Sequence, residues 1–547
     1  MLRPFITMFR SLSATGMLVG LIFFAMSLTP SLMPRSYLVQ GALSGVCAAT
    51  GYMIGVGLFW LWRYLELPYP EDREQRLKGL VAAAGLLLCI WFLWHAVGWQ
   101  NSIRTLWAMP PLDSADPFRL AAVASVTFLA ALILGRIFQW LCIRLSALLK
   151  RYVPRRVSLL LGILIAFAIF WSLGQGVLLR LALDAADASF QRLDALIDEG
   201  TLQPGSDTTG SASSLISWEG LGRQGRHYVS AGPGAPEIGN FWREAALQPI
   251  RVYVGLNNAD TAEARARLAL AELRRQGGFE RRILVVIAPT GTGWIDPAAM
   301  DSLEYLHRGD VASVALQYSY LTSWLSLLVE PDDGQESAQA LFKEIYSFWK
   351  TLPRQSRPQL YLYGLSLGAF NSQLATDIYD VVADPFQGAL WAGPPFRSAR
   401  WRSVTAQRNP ASPAWLPRFR DGSTIRFTNQ SNHLAEADAE WGPIRFIYLQ
   451  YASDPIVFFE PASAFKEPAW MREPRGPDVS RDLQWLPIVT MLQLLFDMAI
   501  ATSSPLGFGH VYAPEHYIDC WISLTGPPNL EAREVDRLKQ LLRARMA

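Results

Sequence analysis

Long runs almost free of charge fill the first third of this 547-residue chain, and such runs permit few folds. Ser11 to Pro34, Ser36 to Trp62, Gly79 to Ile103, Leu120 to Gly135 and Val157 to Leu179 each meet or approach the roughly 20 apolar residues that carry a helix across a bilayer. In lipid a lone apolar segment must satisfy its own backbone N–H and C=O groups, which a helix does. Five such runs in close succession argue against buried helices of a soluble protein. Leu120 to Gly135 is the shortest, ended by Arg136, whose side chain can snorkel from a helix continuing through Ile143. The expectation is an all-α transmembrane domain over 1–183, a connecting helix and Gly/Ser-rich linker over 184–248, and a soluble domain over 249–547.

Basic residues orient such a domain, because Lys and Arg are retained on the cytoplasmic side. Arg3 and Arg10 precede the first run, Arg63, Arg73, Arg76 and Lys78 follow the second, and Arg136, Arg144, Lys150, Arg151, Arg155 and Arg156 follow the fourth. The opposite loops hold Arg35, Arg104 and Arg119. This bias, with five crossings, places the soluble domain outside the cytoplasm; without a crossing by the fourth run the placement reverses. A basic start before an apolar run also describes a cleaved signal peptide, which would leave the later orientation unchanged. The stretch Leu145 to Arg156, basic with apolar residues interleaved, reads as lying along the inner membrane surface. A net charge of +2 gives no support for a nucleic-acid partner. Of the four cysteines, Cys520 alone falls in the soluble part, so no disulfide can form within it.

Past residue 183 charge becomes mixed. Ala182 to Glu199 has helical spacing, and Gly200 to Ser214 has the composition of a flexible linker. From Pro249 onward, short β-prone runs alternate with helical ones. Strands are expected at Arg251–Gly255, Ile283–Ala288, Val311–Tyr318, Gln359–Tyr363, Gly388–Ala392, Thr424–Thr428 and Phe446–Tyr451, with helices at Thr261–Arg275, Gln335–Thr351 and Leu367–Val382. Strand, helix, strand in repetition predicts an α/β fold with a mostly parallel sheet.

The run from Gln359 ends in Gly364-Leu365-Ser366-Leu367-Gly368, the Gly-x-Ser-x-Gly of a nucleophile elbow, where flanking glycines let a serine sit on a strained strand-to-helix turn. A serine hydroxyl needs a general base, and that base needs an acid to hold its tautomer. Only His433, His510 and His516 of the six histidines follow Ser366. His510, on a Gly/Pro-flanked loop, is the candidate base, with His516 in the next helical run its rival. Asp454, in the turn after the last strand candidate, is the candidate acid; Asp438 and Asp497 lie in helical or polar contexts and fit less well. Donors for an oxyanion are expected from the Leu367 N–H and from the glycine-bearing loop Thr290-Gly291-Thr292 after the strand Ile283–Ala288. That loop lacks the Lys of a phosphate-binding loop, and no metal or cofactor pattern occurs.

Thr290-Gly291-Thr292-Gly293-Trp294, Arg308-Gly309-Asp310, Gln317-Tyr318-Ser319-Tyr320, the elbow at Ser366, Ser453-Asp454-Pro455 and Gly509-His510-x-Tyr512 together resemble the bacterial membrane-anchored α/β-hydrolases with an N-terminal multi-span domain. The resemblance covers nearly the whole chain. It implies an α/β-hydrolase fold with helices on both faces of the sheet, and Ser366, Asp454 and His510 as a triad; it implies no settled substrate.

The expectation is an integral-membrane serine hydrolase, esterase/lipase-like or an acyltransferase, acting on a lipid or acylated cell-envelope substrate. Tyr320–Val329 and Trp485–Ile500 are candidates to line an acyl pocket or touch lipid, or else core helices. The alternatives are a non-catalytic hydrolase-like receptor or scaffold, and a transporter regulated by a hydrolase-like domain. No pattern speaks to oligomeric state.

Overall fold

The computed structural model describes residues 12–68, 74–174, 194, 203, 205, 207–321, 331–472 and 474–546. The chain forms two compact units, one of residues 1–183 with 459–501, the other of 184–458 with 502–547.

The first unit is helical: α1 (Ala14–Ser27), α2 (Tyr37–Tyr64), α3 (Glu74–Leu106), α4 (Pro117–Leu149) and α5 (Arg155–Trp171). Among the described residues four helices are long and apolar enough to cross a membrane, at Tyr37–Tyr64, Lys78–Leu106, Pro117–Leu149 and Arg155–Gly174. The shortest expected run thus lies within a 33-residue helix. The first run differs from expectation: α1 has 14 residues, below span length, and Leu28 to Arg35 continues as largely buried non-helical chain. Pro30 and Pro34 remove backbone donors there, and Ser27 and Thr29 turn their hydroxyls back onto the Phe24 and Met26 carbonyls. The basic residues Arg3, Arg10 and Arg73 and the end of the fifth run lie outside the described residues.

Small residues let these helices cross closely. A Cβ on Gly55 of α2 would sit 2.5 Å from the Thr15 carbonyl oxygen of α1, and one on Gly45 would sit 2.6 Å from that of Ala124 in α4. Segment 459–501, which sequence reading placed in the soluble domain, belongs here. Its helix Val489–Ala499 packs Val489 with Leu43 and Cys47 of α2, so Trp485–Ile500 contributes a packing helix. Asp497 makes an ion pair with Arg35, Nε to Oδ1 3.0 Å, both side chains fully buried. Around them, Arg35 also donates to Gln40 Oε1 at 2.7 Å and to Ser31 Oγ, its backbone N–H donates to Gln100 Oε1, and the Leu32 N–H donates to Asp497 Oδ2.

In the second unit all seven expected strands form: β1 (Ile250–Val254), β2 (Ile283–Ala288), β3 (Val311–Leu316), β4 (Gln359–Leu365), β5 (Gly388–Ala392), β6 (Ile425–Thr428) and β7 (Arg445–Leu449). They make one parallel sheet in the order β1-β3-β2-β4-β5-β7-β6. β2 is buried along its whole length, as its unbroken apolar run requires of a strand covered on both sides. Tyr361 and Tyr363 turn one face toward Trp521 of the helix Pro514–Thr525, while Trp391 and Tyr448 bond on the other to Ser372 and Gln373 of the helix Leu367–Leu374. The helix expected over Leu367–Val382 stops at Leu374, and Asp377 then accepts the Tyr379 N–H at 2.9 Å, a local bond that competes with helix continuation. The described end of the expected flexible linker is packed: Thr209 bonds the Arg251 carbonyl, and Ser214 and the Leu215 N–H bond Glu272. The helix expected at Ala182–Glu199 lies outside the described residues apart from Asp194.

Parallel pairing aligns Ala288 with Gly364, Leu365 with Ala392, and Ala392 with Leu449. The chain therefore leaves β2, β4, β5 and β7 at one edge, and the candidate residues follow those exits.

Candidate active site

Ser366 follows β4 with φ 57° and ψ −123°, a conformation costly to a side-chain-bearing residue, by about 1–3 kcal/mol. The surroundings impose it. The Ser366 N–H donates to the Ala392 carbonyl at 3.0 Å, and its own carbonyl accepts from Phe370 as the next helix starts. A Cβ on Gly364 would lie 2.3 Å from Gly368 backbone, and one on Gly368 would lie 2.1 Å from the Ala288 carbonyl oxygen. Both elbow glycines are thus required by close backbone approach, and the second brings the start of the helix against the end of β2. Ser366 itself is 8% exposed.

Asp454, in the turn after β7, is fully buried. Its carboxylate meets donors among the described residues: the Ile456 N–H on Oδ1 at 2.9 Å, and His510 Nδ1 and Tyr512 O–H on Oδ2, each at 2.7 Å. A carboxylate can only accept, so Nδ1 carries the proton and Nε2 presents its lone pair. That Nε2 is buried and has no hydrogen-bond partner among the described residues. The ring packs closely on the turn after β5: a Cβ on Gly393, at φ +50°, would sit 2.7 Å from His510 Cε1. Ser366 and His510 therefore meet the same turn, one through Ala392 and the other over Gly393. The His510 loop is tied to the acid's turn by the Gly509 N–H on Ser453 Oγ at 3.0 Å.

His516 has a different position. The Tyr451 hydroxyl accepts from the Ala513 N–H and shares a 2.6 Å hydrogen bond with His516 Nδ1. Burial, helped by Lys539 and Arg543, lowers the His516 pKa to about 4, so the ring is neutral. Asp438 is exposed, and Asp497 serves Arg35 in the other unit.

The loop after β2 is a closed turn. The Thr290 N–H donates to the Trp294 carbonyl at 3.0 Å and the Gly293 N–H to the Thr290 carbonyl at 2.9 Å. Tyr253 of β1 holds the Gly293 carbonyl, and Gln317 after β3 reaches the Thr292 carbonyl. Thr290 was expected to supply an oxyanion donor, but its N–H is spent within the turn. Leu367 opens the helix after Ser366, a position whose N–H has no acceptor within its own helix. Asp296, which caps the helix Pro297–Leu306, was not singled out from the sequence. Burial raises its pKa to about 6, and the Ala298 N–H, the Tyr517 hydroxyl and, when protonated, His510 favour its anion. Tyr512 was visible only as part of the Gly-His-x-Tyr pattern, with no role attached.

A family model described as an alpha/beta-hydrolase family matches residues 250–538, and one described as the N-terminus of that family matches residues 28–233. No curated protein and no solved structure matches the chain.

Proposed function

The chain belongs to the alpha/beta-hydrolase family, and from that premise we propose that it is an integral-membrane serine hydrolase acting on acyl esters, with Ser366, His510 and Asp454 as its triad. The observation that carries the reading is the 2.7 Å bond from His510 Nδ1 to Asp454, with Nε2 left buried and unpartnered over the turn that also holds Ser366. Ser366 Oγ attacks the ester carbonyl carbon while its proton passes to His510 Nε2. The Leu367 N–H, with a donor from the Gly291–Thr292 segment, holds the oxyanion. Collapse leaves the acyl group on Oγ, and the departing alkoxide takes the proton from Nε2. Water, or a second alcohol, then gives its proton to Nε2 and attacks the acyl carbon, and the departing Ser366 Oγ takes that proton back from Nε2, giving hydrolysis or acyl transfer from the same residues.

The apolar side chains turned outward on the long helices, such as Trp94 at 83% exposure and Phe118 at 90%, support insertion in a bilayer, since exposed faces of this kind are unfavourable in water. The Arg156 guanidinium lies 6.0 Å from the centroid of the Tyr64 ring, so the end of α2 is level with the start of α5. Both ends are basic, which supports a cytoplasmic position for them and an extracytoplasmic one for the chain beyond α5. That placement requires only α5 to cross, whether or not α1 does. A substrate with its acyl chain in the membrane, a lipid or acylated envelope molecule, fits a catalytic unit tethered in this way.

An active-site fluorophosphonate is expected to label wild-type protein in membranes and to leave Ser366→Ala unlabelled. Absence of labelling in folded wild type would remove the reading. Gly393→Ala supplies a separate check. Its methyl would meet the His510 ring in a backbone conformation that alanine disfavours, and displacement of the base by about 1 Å is expected to slow labelling about 100-fold. An unchanged rate would separate His510 from the chemistry.

A further inference from the structure

We propose that Tyr512 is a positioning residue for this site: its phenol O–H grips Oδ2 of Asp454, the same oxygen that takes the His510 Nδ1 proton, and so fixes where the base stands. The proposal rests on the triad reading and extends it to a residue outside the triad. The geometry has three parts. Tyr512 is fully buried and its O–H lies 2.7 Å from Asp454 Oδ2. Its ring is clamped by stacking on Tyr451, with centroids 4.3 Å apart, and approaches the His510 ring edge to face at 5.9 Å. Tyr451 in turn is held by the Ala513 N–H and by His516, so a chain of fixed groups runs from the helix Pro514–Thr525 to the acid.

With Oδ1 held by the Ile456 N–H alone, the carboxylate could otherwise swing about that bond. A second donor on Oδ2 defines its plane, and the imidazole follows. Tyr512 also withdraws charge from the oxygen facing His510. Its own ionisation is remote, because burial and the Asp454 carboxylate raise its pKa well above the usual phenol value. The O–H therefore remains a donor wherever the enzyme works.

Tyr512→Phe keeps the ring and removes only the donor. More negative charge then remains on Oδ2 and the His510 imidazolium is better stabilised, so the acid limb of the labelling rate moves to higher pH. The groups facing the pair are Asp454, Tyr512 itself and Asp296, with Tyr517 bonded to Asp296 and Tyr451 bonded to the neutral His516. Since the Asp296 pKa, raised to about 6, falls within the pH span of the measurement, the comparison is repeated with Asp296→Asn present in both chains.

The test is the pseudo-first-order rate of fluorophosphonate labelling of the full-length protein between pH 4 and 9. Tyr512→Phe is expected to lower the plateau about tenfold and to raise the acid limb by about half to one pH unit, with or without Asp296→Asn. A purely structural role would lower the fraction of reactive protein without moving the limb. If Tyr512→Phe does not fold, a fluorinated tyrosine at position 512 decides: its stronger O–H donor is expected to move the limb to lower pH. An unmoved limb in whichever chain folds overturns the proposal while leaving the triad intact. A wild type that does not label overturns the triad reading itself, and the proposal with it.

Discussion

Asp454→Asn is expected to slow acylation of Ser366 by about four orders of magnitude, although the substitution changes one atom and no volume. The size follows from the donors around the carboxylate. The Ile456 N–H on Oδ1 is backbone and cannot turn into an acceptor. The asparagine carbonyl must therefore occupy the Oδ1 position, which puts the amide NH2 where Oδ2 stood. Both groups there can adapt: the Tyr512 hydroxyl rotates to accept, and His510 moves its proton to Nε2 so that Nδ1 can accept. The fold keeps its hydrogen bonds, and the base loses the lone pair that takes the serine proton. Labelling kinetics with thermal melting beside them check this. A large stability loss with nearly normal reactivity would mean that the amide had turned the other way, with NH2 opposed to the Ile456 N–H and the tautomer preserved.

The same donor accounting explains why some of the site was legible in the sequence. Gly364, Gly368 and Ser366 are local in the chain, and the strain they accommodate is written into their spacing. The strands β2 and β5 were legible because they are buried along their length and read as unbroken apolar runs, while β6 and β7, half-buried where Arg426 and Arg445 stand, showed as short β-prone runs. His510 was separable from His516 by its loop context, but the reason for the difference, the Tyr451 hydroxyl on His516, is a contact between distant residues. Tyr512 and Asp296 are of the same kind: a tyrosine and an aspartate have no periodicity, and their roles exist only once β7 and the last loop are brought together. The Thr290 amide misled because a glycine-bearing loop suggests open backbone donors, whereas a single i to i+4 turn closes this one on Trp294. The excursion 459–501 was invisible for another reason. Its helix Val489–Ala499 is apolar and amphipathic enough to suit either unit, and only its partners on α2 decide which one it joins.

That excursion leads to the other large effect. Arg35→Ala is expected to destabilise the first unit by about 3–5 kcal/mol, because it leaves the fully buried Asp497 carboxylate with only neutral partners, the Leu32 N–H and Ser31, and without a countercharge. Asp497→Ala should cost a similar amount from the opposite side, stranding a guanidinium whose remaining partners, Gln40 and Ser31, are neutral. The double replacement Arg35→Met with Asp497→Leu removes both charges and is expected to recover most of the loss, since burying two ions costs nearly as much as their attraction returns. Thermal unfolding in detergent, compared across the four proteins, measures the coupling. The segment carrying Asp497 leaves the catalytic unit shortly after Asp454 and returns shortly before His510, so the acid and the base are joined through chain that this ion pair anchors. Serine labelling in Arg35→Ala should therefore disappear at the temperature where the first unit melts, well below the loss in wild type. Single variants that melt with wild type would show that the pair contributes nothing; labelling that survives melting of the first unit would show that the triad assembles without the segment's anchorage.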